Sequence, residues 1–407
     1  MNFQNRKKLL SFSFFAVMLG IAGLPVYIHA PKFYIDTYGI SLSFLGVALF
    51  LLRLVDCLQD PFLARLAYKF RDKGAIPIAI ASALLSVGIF CLFTEALLIS
   101  PIFWFSFCLI LTFSSFSFLT IRFYSQGIEK FGKDRQLEIA RWRETGSLVG
   151  ICLAAIAPFI LIYITSKPFL IYAIVFVGIN CFANWVMWRE WELQTFSDHL
   201  NRPIWGLNHP KLRKLLFLAI FNTAPVAVTA TLFLFFVESK LQAAEMSGLF
   251  LVIFFLAATI FAPFWTFLST KYSTKKILLC SMFCAVITFS SVMFLEAGDV
   301  FLFFIICLAS GATLGADLTL MPAIFAKHIV IAKASADLGF GLWNFSSKLA
   351  LALAAVLTLP VLDFLGFQPG KENTENGIFI LSIGYAIVPC ILKLFAILLV
   401  LNIQLEE

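Results

Sequence analysis

The stretch R-L-V-D-C-L-Q-D-P, from Arg53 to Pro61, places three charged residues inside an otherwise apolar segment that runs from Leu42 to Leu63. A charge at the centre of a membrane-spanning helix costs roughly 3 kcal/mol on insertion scales, so such residues usually face a cavity and mark an ion or solute path. Helix positions i, i+3 and i+7 point within about 60° of one another, which places Arg53, Asp56 and Asp60 on one face. The stretch predicts a polar site within a spanning helix.

The composition excludes an ordinary soluble domain. Of the 407 residues, 61% are hydrophobic and 13% are charged, and the mean hydropathy is +0.95. Soluble domains carry about half apolar and about a quarter charged residues. Twelve apolar segments have the ~20 residues that ~30 Å of hydrocarbon demands, and they alternate too little for barrel strands. We therefore predict an all-α polytopic membrane protein with twelve transmembrane helices.

The basic residues indicate the orientation of the chain. Cytoplasmic loops carry an excess of Lys and Arg, and with a cytoplasmic N-terminus the opposite loops hold only Lys32, Lys167, Lys240 and Lys371. This arrangement predicts that both termini are cytoplasmic. The net charge of +7 follows this topology, so we expect no nucleic-acid partner.

A polar central stretch divides the apolar segments into six and six. We predict an N-terminal six-helix bundle over residues 1–190, a central cytoplasmic loop over 191–212 and a C-terminal six-helix bundle over 213–407. A repeat supports the division, because Pro61-Phe62 recurs as Pro263-Phe264 at an offset of 202 residues.

The two acids of the second predicted helix are not conserved between the two copies of the repeat. At the same offset, Asp56 and Asp60 correspond to Ala258 and Ala262. A structural role shared by both halves would be expected in both copies, so the difference favours a functional role for the two acids over simple helix packing.

On these motifs the chain resembles the major facilitator superfamily, and within it the glycoside-pentoside-hexuronide cation symporters, typified by the melibiose permease. The resemblance rests on F-Y-I-D-T-Y-G-I-S from Phe33 to Ser41, on Arg53 to Pro61, and on S-L-V-G from Ser147 to Gly150. Asp337, followed eleven residues later by Lys348, is similar to the family's eleventh helix. The resemblance implies two bundles of major facilitator type.

The resemblance also implies a cation site. In that family the acids of the second helix bind the coupling Na⁺, Li⁺ or H⁺, which assigns this role to Asp56 and Asp60, with help from Gln59 and Ser117. Two carboxylates with few further oxygen ligands suit a proton, so the choice between H⁺ and Na⁺ stays open. Beyond a coupling ion we expect no metal and no cofactor.

The sugar site of the family is not reproduced. Its acids on the first and fourth helices correspond here to Gly20 and to a position near Thr120. Neither residue replaces a carboxylate, so we do not expect a galactoside, and the class of solute is not carried over.

Further polar residues lie in or at the ends of predicted helices. Lys348 is predicted to pair with Asp56 or Asp60 when no cation is bound, although it would also serve simply to neutralise a buried acid. The residues predicted to bind the solute or to couple it are Arg53, Lys348, Asn344, Trp343, Arg143, Thr120 and Tyr27.

A charged cluster is predicted at the cytoplasmic ends of the fourth and fifth helices. We interpret Arg122, Arg141 and Glu144 as an inner gate. The alternative is that Arg122 or Arg143 binds an anionic substrate through its guanidinium group. Asp317, a further acid in an apolar helix, is compatible with either a functional or a structural role.

These features predict a cation-coupled symporter that moves a small polar solute, a sugar or sugar-derived compound among the options, by alternating access. Its partners would be that solute and the lipid bilayer. We expect a multi-pass monomer in a bacterial-type cytoplasmic (inner) membrane.

Two other hypotheses remain. A carrier of lysolipid or another amphiphilic molecule is favoured by the missing sugar acids and by the 48 Phe residues. A non-transporting assembly or sensor subunit would not depend on Asp56 and Asp60. An enzyme is not expected, because the sequence shows no catalytic triad, metal cluster or nucleotide loop.

Overall fold

The structure, a computed structural model, describes residues 3–94, 100–191, 209–367 and 373–404. Within these ranges the chain is built from α-helices joined by short turns, and it contains no β-strand. The predicted central loop, 191–212, lies mostly outside the described residues.

Thirteen α-helices follow one another in the described parts of the chain. They are α1 Phe3–Tyr38, α2 Leu42–Lys69, α3 Ile76–Leu92, α4 Pro101–Phe131, α5 Gln136–Ile164, α6 Pro168–Met187, α7 Pro210–Phe235, α8 Ser247–Lys271, α9 Thr274–Ser290, α10 Val300–Ile331, α11 Ala336–Phe364, α12 Glu375–Ser382 and α13 Val388–Asn402. A π-helical turn, Ile383–Ile387, makes α12 and α13 one continuous stretch.

Long apolar helices confirm the predicted membrane character. Among the described residues, nine helical stretches, from Pro101–Phe131 to Glu375–Asn402, are long and apolar enough to cross a membrane, and α3 is a shorter apolar helix. The chain is therefore an integral, multi-pass membrane protein. The prediction of twelve spans goes beyond this number and stays a prediction.

Helix ends follow local chemistry. After α1, Gly39 has φ of +65°, a conformation that glycine adopts without steric cost. The Ser41 hydroxyl then accepts a hydrogen bond from the Phe44 N–H at 3.3 Å and caps α2. Pro101 stands in the first turn of α4, where its missing N–H is not needed.

The chain divides into two units. The first consists of Met1–His209 and Ala326–Phe345, and the second of Pro210–Phe325 and Ser346–Glu407. As a result α10 begins in the second unit and ends in the first, whereas α11 begins in the first and ends in the second. The predicted bundle boundaries at 190 and 213 stay a prediction.

Phenylalanine serves both the interior and the surface of the units. In the first unit Phe12 stacks on Phe123 with 5.4 Å between ring centroids, and both are buried. Phe62 and Phe103 are 66% and 70% exposed, as expected for residues that face lipid tails.

Glycines bring α1 and α5 into close contact. A Cβ atom added at Gly20 would overlap the Ser147 carbonyl oxygen and lie 3.1 Å from the Cα of Gly150. A Cβ atom added at Gly146 would lie 2.5 Å from the Ser13 carbonyl oxygen. Small residues let membrane helices approach this closely, and no side chain fits at position 20.

This contact predicts opposite effects for two glycines of α1. Gly20→Ala should lower the free energy of unfolding by about 1–3 kcal/mol, because the methyl group overpacks the contact. Gly23→Ala, where nothing lies within 4 Å of the added Cβ, should be neutral or stabilise by up to about 1 kcal/mol through helix propensity. Thermal unfolding of the purified variants measures both, and equal effects would contradict the assigned contact.

Candidate functional site

The two acids of α2 are buried in the first unit. Asp56 is 5% exposed and Asp60 is 0% exposed. Arg53, which we predicted on the same polar face, is exposed instead. Its long side chain can bury apolar carbons and keep the guanidinium group at the surface.

A hydrogen-bond network joins α2 to α4 around Asp56. The Gln59 amide donates to Asp56 Oδ1 at 3.0 Å, and the Ser117 hydroxyl donates to the same oxygen at 3.3 Å. The Ser114 hydroxyl donates to Gln59 Oε1 at 2.6 Å. The structure thus brings together Asp56, Gln59 and Ser117, and it adds Ser114, which the sequence analysis missed.

Ser114 had a recognisable signal in the sequence. It lies three residues before Ser117, a spacing that puts both hydroxyls on one face of a helix. The network offers carboxylate, amide and hydroxyl oxygens, which are the ligands that hard cations prefer. Among the described residues, no group of three or more His, Cys, Asp and Glu side chains is arranged to hold a metal ion.

The second unit has no room for the same site. Ala258 and Ala262, the counterparts of Asp56 and Asp60, are fully buried. A Cβ atom added at Gly315 of α10 would lie 2.7 Å from the Ala258 carbonyl oxygen and 3.0 Å from the Ala262 nitrogen. Close backbone packing therefore fills the space that side chains occupy in the first unit.

The residues at the positions of the family's sugar acids make contacts that do not involve a carboxylate. Gly20 lies in the close contact between α1 and α5. The Thr120 hydroxyl donates to the Phe116 carbonyl of its own helix at 2.8 Å. The side chain of Tyr27 lies outside those that the structure describes.

Arg122 forms a buried ion pair with Asp337. Its guanidinium group donates to the two carboxylate oxygens at 2.9 and 3.0 Å. The Glu129 carboxylate lies 3.8 Å away. Asp337 stands in the first turn of α11, where a negative charge also interacts favourably with the helix dipole. Arg122 thus pairs with Asp337 and not with Glu144, the partner that we considered from the sequence.

Glu144 pairs with Arg143. Arg143 Nε donates to Glu144 Oε1 at 2.8 Å, and the Tyr124 hydroxyl donates to the same oxygen at 2.8 Å. The guanidinium group of Arg143 also lies 3.6 Å from the centre of the Tyr124 ring, a cation–π arrangement. Arg141 is half-buried and lies outside the ion pairs found in the described residues.

The predicted solute and coupling residues of α11 are divided between the units. A Cβ atom added at Gly341 would overlap Ala64 and lie 3.3 Å from the Asp60 carbonyl oxygen, so α11 packs directly on α2 beside the acid pair. Asn344 and Trp343 are half-buried in the first unit, whereas Lys348 is half-buried in the second. The predicted response of Lys348 to the acids stays a prediction.

A family model described as MFS/sugar transport protein matches residues 11–407, which is nearly the whole chain. The chain belongs to this family. The resemblance to the major facilitator superfamily (MFS) is thereby confirmed.

Among solved structures, the MFS transporter is similar to the crystal structure of a bacterial homologue of the iron transporter ferroportin in its outward-facing state. The TM-score is 0.72, the sequence identity is 12%, and the match covers 98% of each chain. At this identity the similarity shows the fold alone. Comparison with curated protein sequences gives no significant match.

The MFS transporter holds a second buried polar cluster, in its second unit. Lys393 of α13 donates to Asn222 Oδ1 at 2.8 Å and to Asp317 Oδ2 of α10. The three residues are between 5% and 8% exposed. The sequence analysis considered Asp317 but gave no role to Lys393. The sequence did offer a signal for this pair, because Asp317 and Lys393 each carry a charge in an apolar helix of the same half.

The Arg122 pair predicts a large stability effect. Asp337→Ala should lower the free energy of unfolding by about 3 kcal/mol or more, because it leaves a buried guanidinium group without its main partner. Glu138→Ala, which breaks the partly exposed Arg135–Glu138 pair of 2.8 Å, should cost at most about 1 kcal/mol. Denaturant unfolding in detergent compares them, and a small effect for Asp337→Ala would refute the burial argument.

Proposed function

We propose that this MFS transporter is a cation-coupled symporter that moves a small polar solute, such as a sugar or a sugar-derived compound, by alternating access. The observation that carries the proposal is the buried network of Asp56, Gln59 and Ser117, with Asp60 one turn further along α2. The second unit closes the equivalent position by backbone packing. A polar site in one half only favours ion binding, because a packing role shared by both halves would be expected in both copies.

The coupling ion is H⁺ or Na⁺. Two carboxylates one helical turn apart repel each other in a low dielectric, so the binding of a single positive charge relieves this repulsion. Ser117 supplies a hydroxyl oxygen beside Asp56, and Gln59, whose amide oxygen accepts from Ser114, donates to the same carboxylate. The structural neighbour is described as a homologue of an iron transporter. The carboxylate and hydroxyl oxygens of this network suit H⁺ or Na⁺ better than a metal that prefers nitrogen or sulfur ligands.

Gating would involve the charged cluster of α4 and α5. Arg122, Arg141 and Glu144 form the proposed inner gate, in which Arg122 holds the first turn of α11 through Asp337. Glu129, 3.8 Å from Arg122, is the proposed acceptor when Asp337 moves away. Lys348 lies on the same helix as Asp337, so a displacement of α11 would move both residues together.

The finer topology belongs to the same proposal. It comprises twelve spans with cytoplasmic termini, bundles over 1–190 and 213–407 joined by the loop 191–212, and a monomer in a bacterial-type inner membrane. Arg53, Asn344, Trp343, Thr120, Tyr27 and Arg143 are the proposed solute or coupling residues.

One observation favours a second candidate, a carrier of lysolipid or another amphiphilic molecule. Position 20, which corresponds to an acid of the family's sugar site, has no room for any side chain. Uptake of a lysolipid compared with uptake of sugars into the same vesicles distinguishes the two candidates.

The ion site is tested by stability and transport measurements. Purified protein in proteoliposomes is unfolded thermally while Na⁺, Li⁺ and pH are varied, for wild type and for Asp56→Asn with Asp60→Asn. A matched control carries Asp36→Asn with Asp363→Asn, two exposed acids. An ion at 100 times its Kd should stabilise the folded protein by about 2.7 kcal/mol.

The outcomes differ by ion. Stabilisation of wild type and control by Na⁺ or Li⁺, but not of the acid-pair variant, supports sodium coupling. A pH dependence that only the acid-pair variant loses supports proton coupling. If all three proteins respond alike, the symporter proposal fails and the amphiphile carrier or a non-transporting role takes its place.

A finer prediction concerns Ser114. Ser114→Ala should weaken ion binding about three- to tenfold, because Gln59 loses a hydrogen bond worth about 0.5–1.5 kcal/mol. Ser106→Ala is the matched control, since the Ser106 hydroxyl donates only to the Ile102 carbonyl of its own helix at 2.8 Å. Titration of the ion-dependent melting temperature measures both. A loss in the control as large as in Ser114→Ala would exclude the assigned role.

A further inference from the structure

The buried ion pair of the second unit faces a cavity. Asp317 and Lys393 line a cavity of about 70 Å³. A second cavity of about 130 Å³ adjoins it, and Thr229, Phe254 and Ser310 line both. Away from the ion pair the walls are mainly aromatic and aliphatic. The space therefore has one polar end and an apolar body.

The polar end has unused hydrogen-bonding capacity. A lysine ammonium group has three donors, and in the described residues Lys393 uses two of them, one on Asn222 and one on Asp317. Asp317 Oδ2 accepts from Lys393, whereas Oδ1 is buried and has no hydrogen-bond partner among the described residues. Two residues that line the cavity therefore keep one donor, on Lys393, and one acceptor, on Asp317, without a partner in the described part of the chain.

The charge, lining and volume of the site limit the ligands that fit it. Asp317 and Lys393 neutralise each other, so an ionic ligand would introduce an uncompensated buried charge. A hydroxyl group both donates and accepts, which matches the pair. A polyol would leave its other hydroxyls unsatisfied against aromatic walls. Apolar cavities of about 150 Å³ hold one benzene ring.

We propose that this cavity is a binding site for a small uncharged molecule that carries a single hydroxyl group on an apolar body of about one ring. The hydroxyl donates to Asp317 Oδ1 and accepts from Lys393, and the body packs against Phe254 and Phe289. The site lies wholly in the second unit and does not depend on the cation site of α2.

Fluorine NMR of fluorobenzyl alcohol tests the proposal, with the full-length protein in nanodiscs and empty nanodiscs as the background. We expect a protein-dependent bound signal that unlabelled benzyl alcohol displaces at about one-tenth of the toluene concentration. This factor corresponds to about 1.4 kcal/mol for the hydroxyl group. Equal displacement by toluene, or no signal above the background, would overturn the proposal.

A filling variant locates the signal. Ser310 lines both cavities, and its hydroxyl donates within its own helix. Ser310→Leu should fill the space and abolish the bound signal. Ser290→Leu is the matched control, because the Ser290 hydroxyl also donates within its own helix and the residue lines neither cavity. Retention of the signal in a folded Ser310→Leu protein would place the binding elsewhere.

A paired variant separates ligand binding from a merely structural ion pair. Removal of one charge alone would leave the other buried and endanger folding, whereas replacement of both by apolar residues is often tolerated. Asp317→Leu with Lys393→Met should stay folded and bind benzyl alcohol and toluene equally well. An unchanged tenfold preference in this variant would show that the ion pair does not recognise the hydroxyl group.

Discussion

The cost of placing charge in an apolar interior governs the arrangement of this protein. Arg122 is matched by Asp337, Arg143 by Glu144 and Lys393 by Asp317, each through direct hydrogen bonds between buried side chains. Asp56 accepts hydrogen bonds from the Gln59 amide and from the Ser117 hydroxyl group. These neutral groups, together with the buried Asp60 one turn further along α2, make the α2 site the candidate for ion coupling.

Close helix packing decides where such groups can be placed. Glycines of α1 and α5 in the first unit, and Gly315 against Ala258 and Ala262 in the second, bring backbones so near that side chains are excluded. The space between α2 and α4 of the first unit admits Asp56, Gln59, Ser114 and Ser117. The positions that the sequence repeat pairs, Asp56 with Ala258 and Asp60 with Ala262, therefore carry different chemistry.

The eleventh helix connects the features that a transport cycle needs. Its first turn holds Asp337, its next turns pack Gly341 against α2 beside Asp60, and Lys348 follows in the second unit. Because a helix moves nearly as a rigid rod, a change in the ion occupancy of α2 and a change at Arg122 would act on the same element. The proposed coupling between ion binding at α2 and gating at Arg122 is this shared displacement of α11.

The sequence by itself determined the helical membrane architecture and the family, because hydropathy and short motifs are local properties, and it predicted the ion site at Asp56 and Asp60. It also indicated Gln59 and Ser117 as neighbours of the acids. Only the tertiary structure decided the partners of the remaining charges. Arg122 meets Asp337 across 215 residues, and Lys393 meets Asn222 across 171. It also showed that position 20 admits no side chain. Periodicity indicates the face of a helix on which a residue lies, but the groups packed against that face come from distant parts of the chain.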